Sequence, residues 1–116
     1  MNIESLRTYC LSKTRAEETL PFGPDTLVYK VSGKVFLLTG LDAEDFRFNV
    51  KCDPDLARDL REQYDCVQPG YHMNKKHWNT IVVDGSASVK QLKEWIDHSY
   101  NLVVDSLPKK LREQFK

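Results

Sequence analysis

Apolar positions along the chain change period several times, and each change marks an element. Ile3, Leu6 and Cys10 recur at intervals of three and four, the spacing of one helical face, with Asn2 ahead of them as a cap. This predicts a first helix from Asn2 to about Ser12. Thr14-Arg15-Ala16-Glu17 has the form of a capping box and predicts one further short turn. Leu20-Pro21-Phe22-Gly23-Pro24-Asp25 excludes helix and reads as a stiff connector that aims the first helix at the rest of the fold. Its prolines and aromatic would also suit a pocket wall beside the Tyr71–Trp78 loop.

The period then falls to two. Thr26 to Val31 is β-branched and aromatic, Ser32-Gly33 is a two-residue turn, and Lys34 to Leu41 is the return strand. Asp42 to Asp45 is an acidic loop. Phe46 to Lys51 alternates strictly between apolar and polar, the mark of a half-exposed strand in an antiparallel sheet. Asp53-Pro54 starts a helix that runs to about Tyr64, with Leu56, Ala57, Leu60 and Tyr64 as its buried stripe. Its solvated face holds Asp55, Arg58, Asp59, Arg61 and Glu62, with Arg58 and Glu62 spaced for an ion pair. Val67 to His77 is turn-rich. Trp78 to Val83 is another strand, and Ser88-Val89-Lys90-Gln91 caps the longest helix. That helix keeps Val89, Leu92, Ile96, Val103 and Leu107 on its core face, widened by Trp95, Tyr100 and Leu102, and stops at Pro108. Leu111 and Phe115 add a last amphipathic turn.

The order helix, hairpin, strand, helix, strand, helix predicts an α+β fold, a mostly antiparallel sheet with helices at the ends and one inserted. With 116 residues, 41% of them hydrophobic, the chain suits one domain spanning residues 1–116. Seventeen basic and seventeen acidic residues cancel, which argues against a strongly electrostatic nucleic-acid binder but leaves room for a local patch. No apolar run reaches membrane-spanning length, so no membrane partner is expected. Cys10, Cys52 and Cys66, odd in number and without a secretion signal, read as reduced thiols of a cytoplasmic protein.

Three segments carry a resemblance: Pro21 to Val31, Asn49-Val50-Lys51-Cys52-Asp53-Pro54, and Pro69-Gly70-Tyr71-His72-Met73-Asn74-Lys75-Lys76-His77-Trp78-Asn79-Thr80. Ile96 to Tyr100 and Leu107 to Lys110 fit as well. Together they resemble the MmcQ/YjbR family over essentially the whole chain. Thr14-Arg15 departs from the Pro-Gly common there. The resemblance implies a compact frataxin-like (CyaY-like) α+β fold, an antiparallel sheet covered on one face by helices. It also implies a DNA-binding label resting on projecting hairpins described as a double wing, and it brings no enzymatic activity or cofactor.

The residues point the same way. Gly70 to Trp78 combines two lysines, two histidines, an asparagine and two aromatics with no acid, whereas Asp42 to Asp65 carries eight acids against four bases. Phosphates need point charges and donors, and bases or sugars favour flat aromatics. Tyr71, His72, Asn74, Lys75, Lys76, His77 and Trp78 supply those types, and Lys30, Lys34 and Lys51 join them if the sheet aligns their polar ends. His72, His77 and Cys66 lack zinc-site spacing, so no metal is expected. Cys52, just before a helix cap, is the one thiol that a helix N-terminus could activate, though no orienting base is apparent. Asp97-His98-Ser99-Tyr100 spells a triad on consecutive helical positions, which diverge by about 100° each and cannot converge; His98 and Tyr100 read as packing or hydrogen-bonding groups. The expectation is a non-enzymatic, cofactor-free and by default monomeric protein that contacts double-stranded DNA weakly and without sequence preference through this loop and the Ser32-Gly33 tip. The alternative is a protein-interaction or small-ligand module using the same loop.

Overall fold

Helix α1 (Ile3–Leu11) begins where Asn2 Oδ1 accepts the Ser5 amide at 2.8 Å, while the Ser5 side chain accepts the Asn2 amide in return. The computed structural model describes residues 1–70 and 73–115. The short helical turn expected at Thr14–Glu17 is not formed. Arg15 takes φ 60°, the chain reverses, and Ala16–Thr19 becomes the edge strand β1. Pairing with the neighbouring strand outweighs the local capping pattern there.

Strands β2 (Thr26–Val31) and β3 (Lys34–Gly40) meet at Ser32-Gly33, where φ values of 49° and 82° match the right-handed twist of a tight hairpin. A register shift after Tyr29 lets both Phe36 and Leu37 bury completely. Strand β4 (Arg47–Lys51) leads into α2 (Pro54–Gln63), whose cap Asp53 accepts the Leu56 amide. The turn-rich stretch contains a short strand that periodicity misses, β5 (Val67–Pro69), before β6 (Trp78–Val82). Helix α3 (Val89–Asp105) follows, then α4 (Lys109–Arg112) and a 3₁₀ turn, Glu113–Phe115.

The six strands lie in the order β1-β2-β3-β4-β6-β5, every neighbour antiparallel. One face carries all three long helices. Leu6 and Cys10 of α1, Ala57 and Leu60 of α2, and Leu92, Trp95, Ile96, Tyr100 and Val103 of α3 pack in one cluster with Tyr29, Leu37, Phe48, Val50, Val67 and Ile81 of the sheet. Ser99, fully buried, stitches α3 to the strands: its Oγ donates to the Phe36 carbonyl at 2.6 Å and accepts the Lys51 amide at 2.8 Å. Val89, expected in the core, is exposed at the first turn of α3. Arg58 pairs with Asp55 rather than with Glu62. Among the described residues no helix is long and apolar enough to cross a membrane.

Candidate functional site

The strand registers sort the side chains of the sheet into rows. Glu18, Tyr29, Leu37, Val50, Asn79 and Pro69 form a row facing the helices. Because successive residues alternate faces, the rows on either side point away from the helices. One is Thr19, Val28, Leu38, Asn49, Thr80 and Gln68, the other Glu17, Lys30, Lys51 and Trp78. Lys30 and Lys51 are two strands apart, about 10 Å between backbones, and Trp78 is directly opposite Lys51.

This second row closes the end of the sheet where β2 stops, β3 starts, β4 stops and β6 starts. Lys34 stands just past the Ser32-Gly33 tip and Lys75 and Lys76 just before Trp78, so all five predicted lysines share one end. Among the described residues none of them is in ion-pairing range of a carboxylate. The opposite end collects the loop acids Asp25, Asp42, Glu44, Asp45 and Asp84, with Arg47 paired to Asp45 at 2.6 Å. The lysine end also holds Glu17, across from Lys30, and Asp53, just past Lys51, so the polarity of the sheet comes from an excess of lysines there and not from a complete separation of charges.

Local contacts hold the turn between β5 and β6. The Asn74 carbonyl accepts the Trp78 amide at 2.9 Å and its side chain accepts the Lys76 amide at 2.9 Å. The His77 carbonyl accepts the Cys52 amide at 2.7 Å, tying the turn to the end of β4. Arg61 reaches the same turn from α2. It is half-buried, not solvated as expected, and binds the Asn79 side chain and the Lys75 and Trp78 carbonyls. Gly70 lies so close to Trp78 that an added Cβ would meet the Trp78 Cβ at 2.8 Å and its carbonyl oxygen at 2.9 Å. Tyr71 and His72, two of the predicted site residues, lie outside the described residues.

Other readings of the sequence change. The Pro21–Asp25 segment joins β1 to β2 at the acidic end, so it is no wall for the Lys75–Trp78 turn at the other end. Cys52 is 4% exposed, and burial pushes its thiol up to about 11, with the Asp53 charge adding to the effect. Desolvation thus outweighs any activation by the start of α2. Among the described residues no group of three or more His, Cys, Asp and Glu gathers as metal ligands. His98 accepts the Asp53 amide at 3.2 Å and Tyr100 donates to the Thr14 carbonyl at 2.7 Å, in keeping with their reading as hydrogen-bonding groups.

The helix-free face also holds a cleft that the sequence reading missed. It encloses about 630 Å³ between the 42–45 loop and Met73, over Leu38, Arg47, Asn49 and Thr80. The alternation of Phe46–Lys51 was the available signal, since it turns Arg47, Asn49 and Lys51 to one side.

These features define an α+β domain with a helix-backed antiparallel sheet and a helix-free face whose centre, at Val28 and Thr80, is buried. The chain belongs to the YjbR family, whose model matches residues 11–102. It is 38% identical over 108 residues to the Escherichia coli O157:H7 protein named "Uncharacterized protein YbdF", covering 92% of this chain and 88% of that one. It is 33% identical over 113 residues to YjbR of E. coli K12, covering 97% and 96%. The crystal structure of Deinococcus radiodurans protein DR2400 superposes with a TM-score of 0.92 at 34% identity, covering 97% of this chain and 86% of that one. A Pseudomonas syringae protein gives 0.76 at 27% identity, covering 88% and 98%.

Proposed function

We propose that this chain is a non-enzymatic binding protein that holds double-stranded DNA weakly, and without sequence preference, against the cationic end of its open sheet face. The observation that carries the reading is the placement of Lys30, Lys34, Lys51, Lys75 and Lys76 at one end of the sheet, with Trp78 directly opposite Lys51 and loop acids gathered at the far end. Among the described residues these ammonium groups form no ion pair, although Glu17 stands across from Lys30, which leaves them able to neutralise phosphates, and the half-buried Trp78 offers a flat apolar surface beside Lys51. The Ser32-Gly33 hairpin and the 73–77 turn sit at the same end, as two wings would. Three free, buried cysteines fit a reducing compartment, and a cytoplasmic location is part of the reading.

Phosphate contacts position a protein on DNA without reporting sequence. In a titration of labelled duplexes at low salt, Lys75→Ala/Lys76→Ala and Lys30→Ala/Lys51→Ala therefore weaken affinity uniformly across unrelated sequences. Unchanged affinity in both double variants removes this surface from the argument.

The cleft over Leu38, Asn49 and Thr80 favours a second reading, a small-ligand module on the same face, since its volume suits a small molecule. Salt-insensitive binding of a copurified compound distinguishes that case.

A further inference from the structure

The cationic end does not stop at the edge of the sheet. A groove of about 280 Å³ opens between α2 and the 73–77 turn, lined by Pro54, Asp55, Arg58, Arg61, Lys75 and Lys76. Four of these six residues are cations. The one carboxylate, Asp55, is already bonded to Arg58 at 2.8 Å.

Arg61 is the fixed member. Its Nε donates to Asn79 Oδ1 at 2.7 Å and its Nη2 to the carbonyls of Lys75 and Trp78, all neutral acceptors. The guanidinium is held in place while its charge stays uncompensated by any carboxylate among the described residues. A held guanidinium binds an oxyanion at lower entropic cost than a free one. Lys75 and Lys76 stand on the turn that the same guanidinium braces, and Arg58 stands one turn before Arg61 on α2. Sequence spacing does not suggest this grouping, because Arg61 and the Lys75 carbonyl that it binds are 14 positions apart.

We infer that this groove seats a phosphoryl group through Arg58, Arg61, Lys75 and Lys76. The inference extends the proposed DNA-binding reading around the sheet edge onto α2, and rests on that reading only where the phosphoryl group belongs to a nucleic acid. A free phosphorylated small molecule has the same chemistry.

The test titrates pyrophosphate, and separately a labelled DNA duplex, into the wild type and into Arg58→Ala, Lys76→Ala and Lys90→Ala. Each variant removes one exposed cation. Lys90 stands at the first turn of α3, by the acidic end, and serves as the charge-matched control. Circular dichroism checks that all three are folded. The expected result is that Arg58→Ala and Lys76→Ala each weaken pyrophosphate binding about fivefold or more, while Lys90→Ala changes it by less than twofold. A matching loss of duplex affinity identifies the nucleic-acid backbone as the source of the phosphoryl group, and unchanged duplex affinity identifies a free phosphorylated molecule. Absence of pyrophosphate binding, or equal weakening by all three variants, overturns the groove. The pyrophosphate arm does not involve Lys30 or Lys51, so it can succeed where the duplex reading fails, and the reverse.

Discussion

Arg61 on α2 and Asn79 on β6 are joined by a 2.7 Å bond from Nε to Oδ1, and this pair couples the helical layer to the turn that carries Lys75 and Lys76. Asn79 is 1% exposed, and its Nδ2 already lacks a protein partner among the described residues. Arg61→Ala orphans the buried oxygen as well, removes a donor from the Lys75 carbonyl and leaves the Trp78 carbonyl with the Gly70 amide. The expected loss is about 2–3 kcal/mol by chemical denaturation. Arg61→Lys retains the charge but not the fork that spans these acceptors, so it recovers less than half of that loss.

Gly70 is required by close approach rather than by an unusual backbone angle. Gly70→Ala drives a methyl into Trp78 and its carbonyl, atoms with little room to retreat because the Gly70 amide donates to that same carbonyl at 2.9 Å. The expected loss is about 1–3 kcal/mol, the range for overpacking a tight contact. Amide exchange should quicken first around Trp78.

Cys52 should behave as a buried structural thiol. With its pKa raised to about 11, its thiolate population at pH 8 falls on the order of 100-fold below that of an ordinary cysteine. Alkylation of the native protein by iodoacetamide, mapped by mass spectrometry, should leave Cys52 unmodified until denaturant is added. Rapid native labelling contradicts its burial.

Glu18 sits on the helix-facing row, where its carboxylate receives Arg7 at 2.9 Å and the hydroxyl of fully buried Tyr29 at 2.7 Å. The Arg7 hydrogen bond, then that of Tyr29, holds its pKa below the usual 4.5. A depressed carboxyl contributes stability above its unfolded value and loses it as pH falls through the folded one. Wild-type stability should therefore decline below about pH 4.5 more steeply than that of Glu18→Gln, measured by urea midpoints across pH. Glu18→Ala, which leaves the Tyr29 hydroxyl without its acceptor, should lose about 2 kcal/mol near neutrality.

The long elements were legible because each obeys one period over many residues: the α2 stripe, the α3 stripe and the β2–β3 hairpin. The two edge strands were not. Ala16-Glu17-Glu18-Thr19 turns an acid inward, which makes sense only once Arg7 and Tyr29 arrive from elsewhere in the chain. Val67-Gln68-Pro69 is too short to show a period. The chemistry of the site was readable as residue types, but the alignment of Lys30, Lys51 and Trp78 is a property of strand register. Arg61 left a trace that the reading passed over, since it follows Ala57 by four positions and precedes Tyr64 by three, on the buried side of its helix.

The most direct test is an amide chemical-shift map of the labelled protein titrated with a DNA duplex at low salt. The account predicts shifts concentrated at Lys30, Lys34, Lys51, residues 74–77 and Trp78, fading as salt rises, with residues 42–45 and 84–86 silent. Shifts centred on the acidic loops, or none at duplex concentrations well above those of the protein, would contradict it.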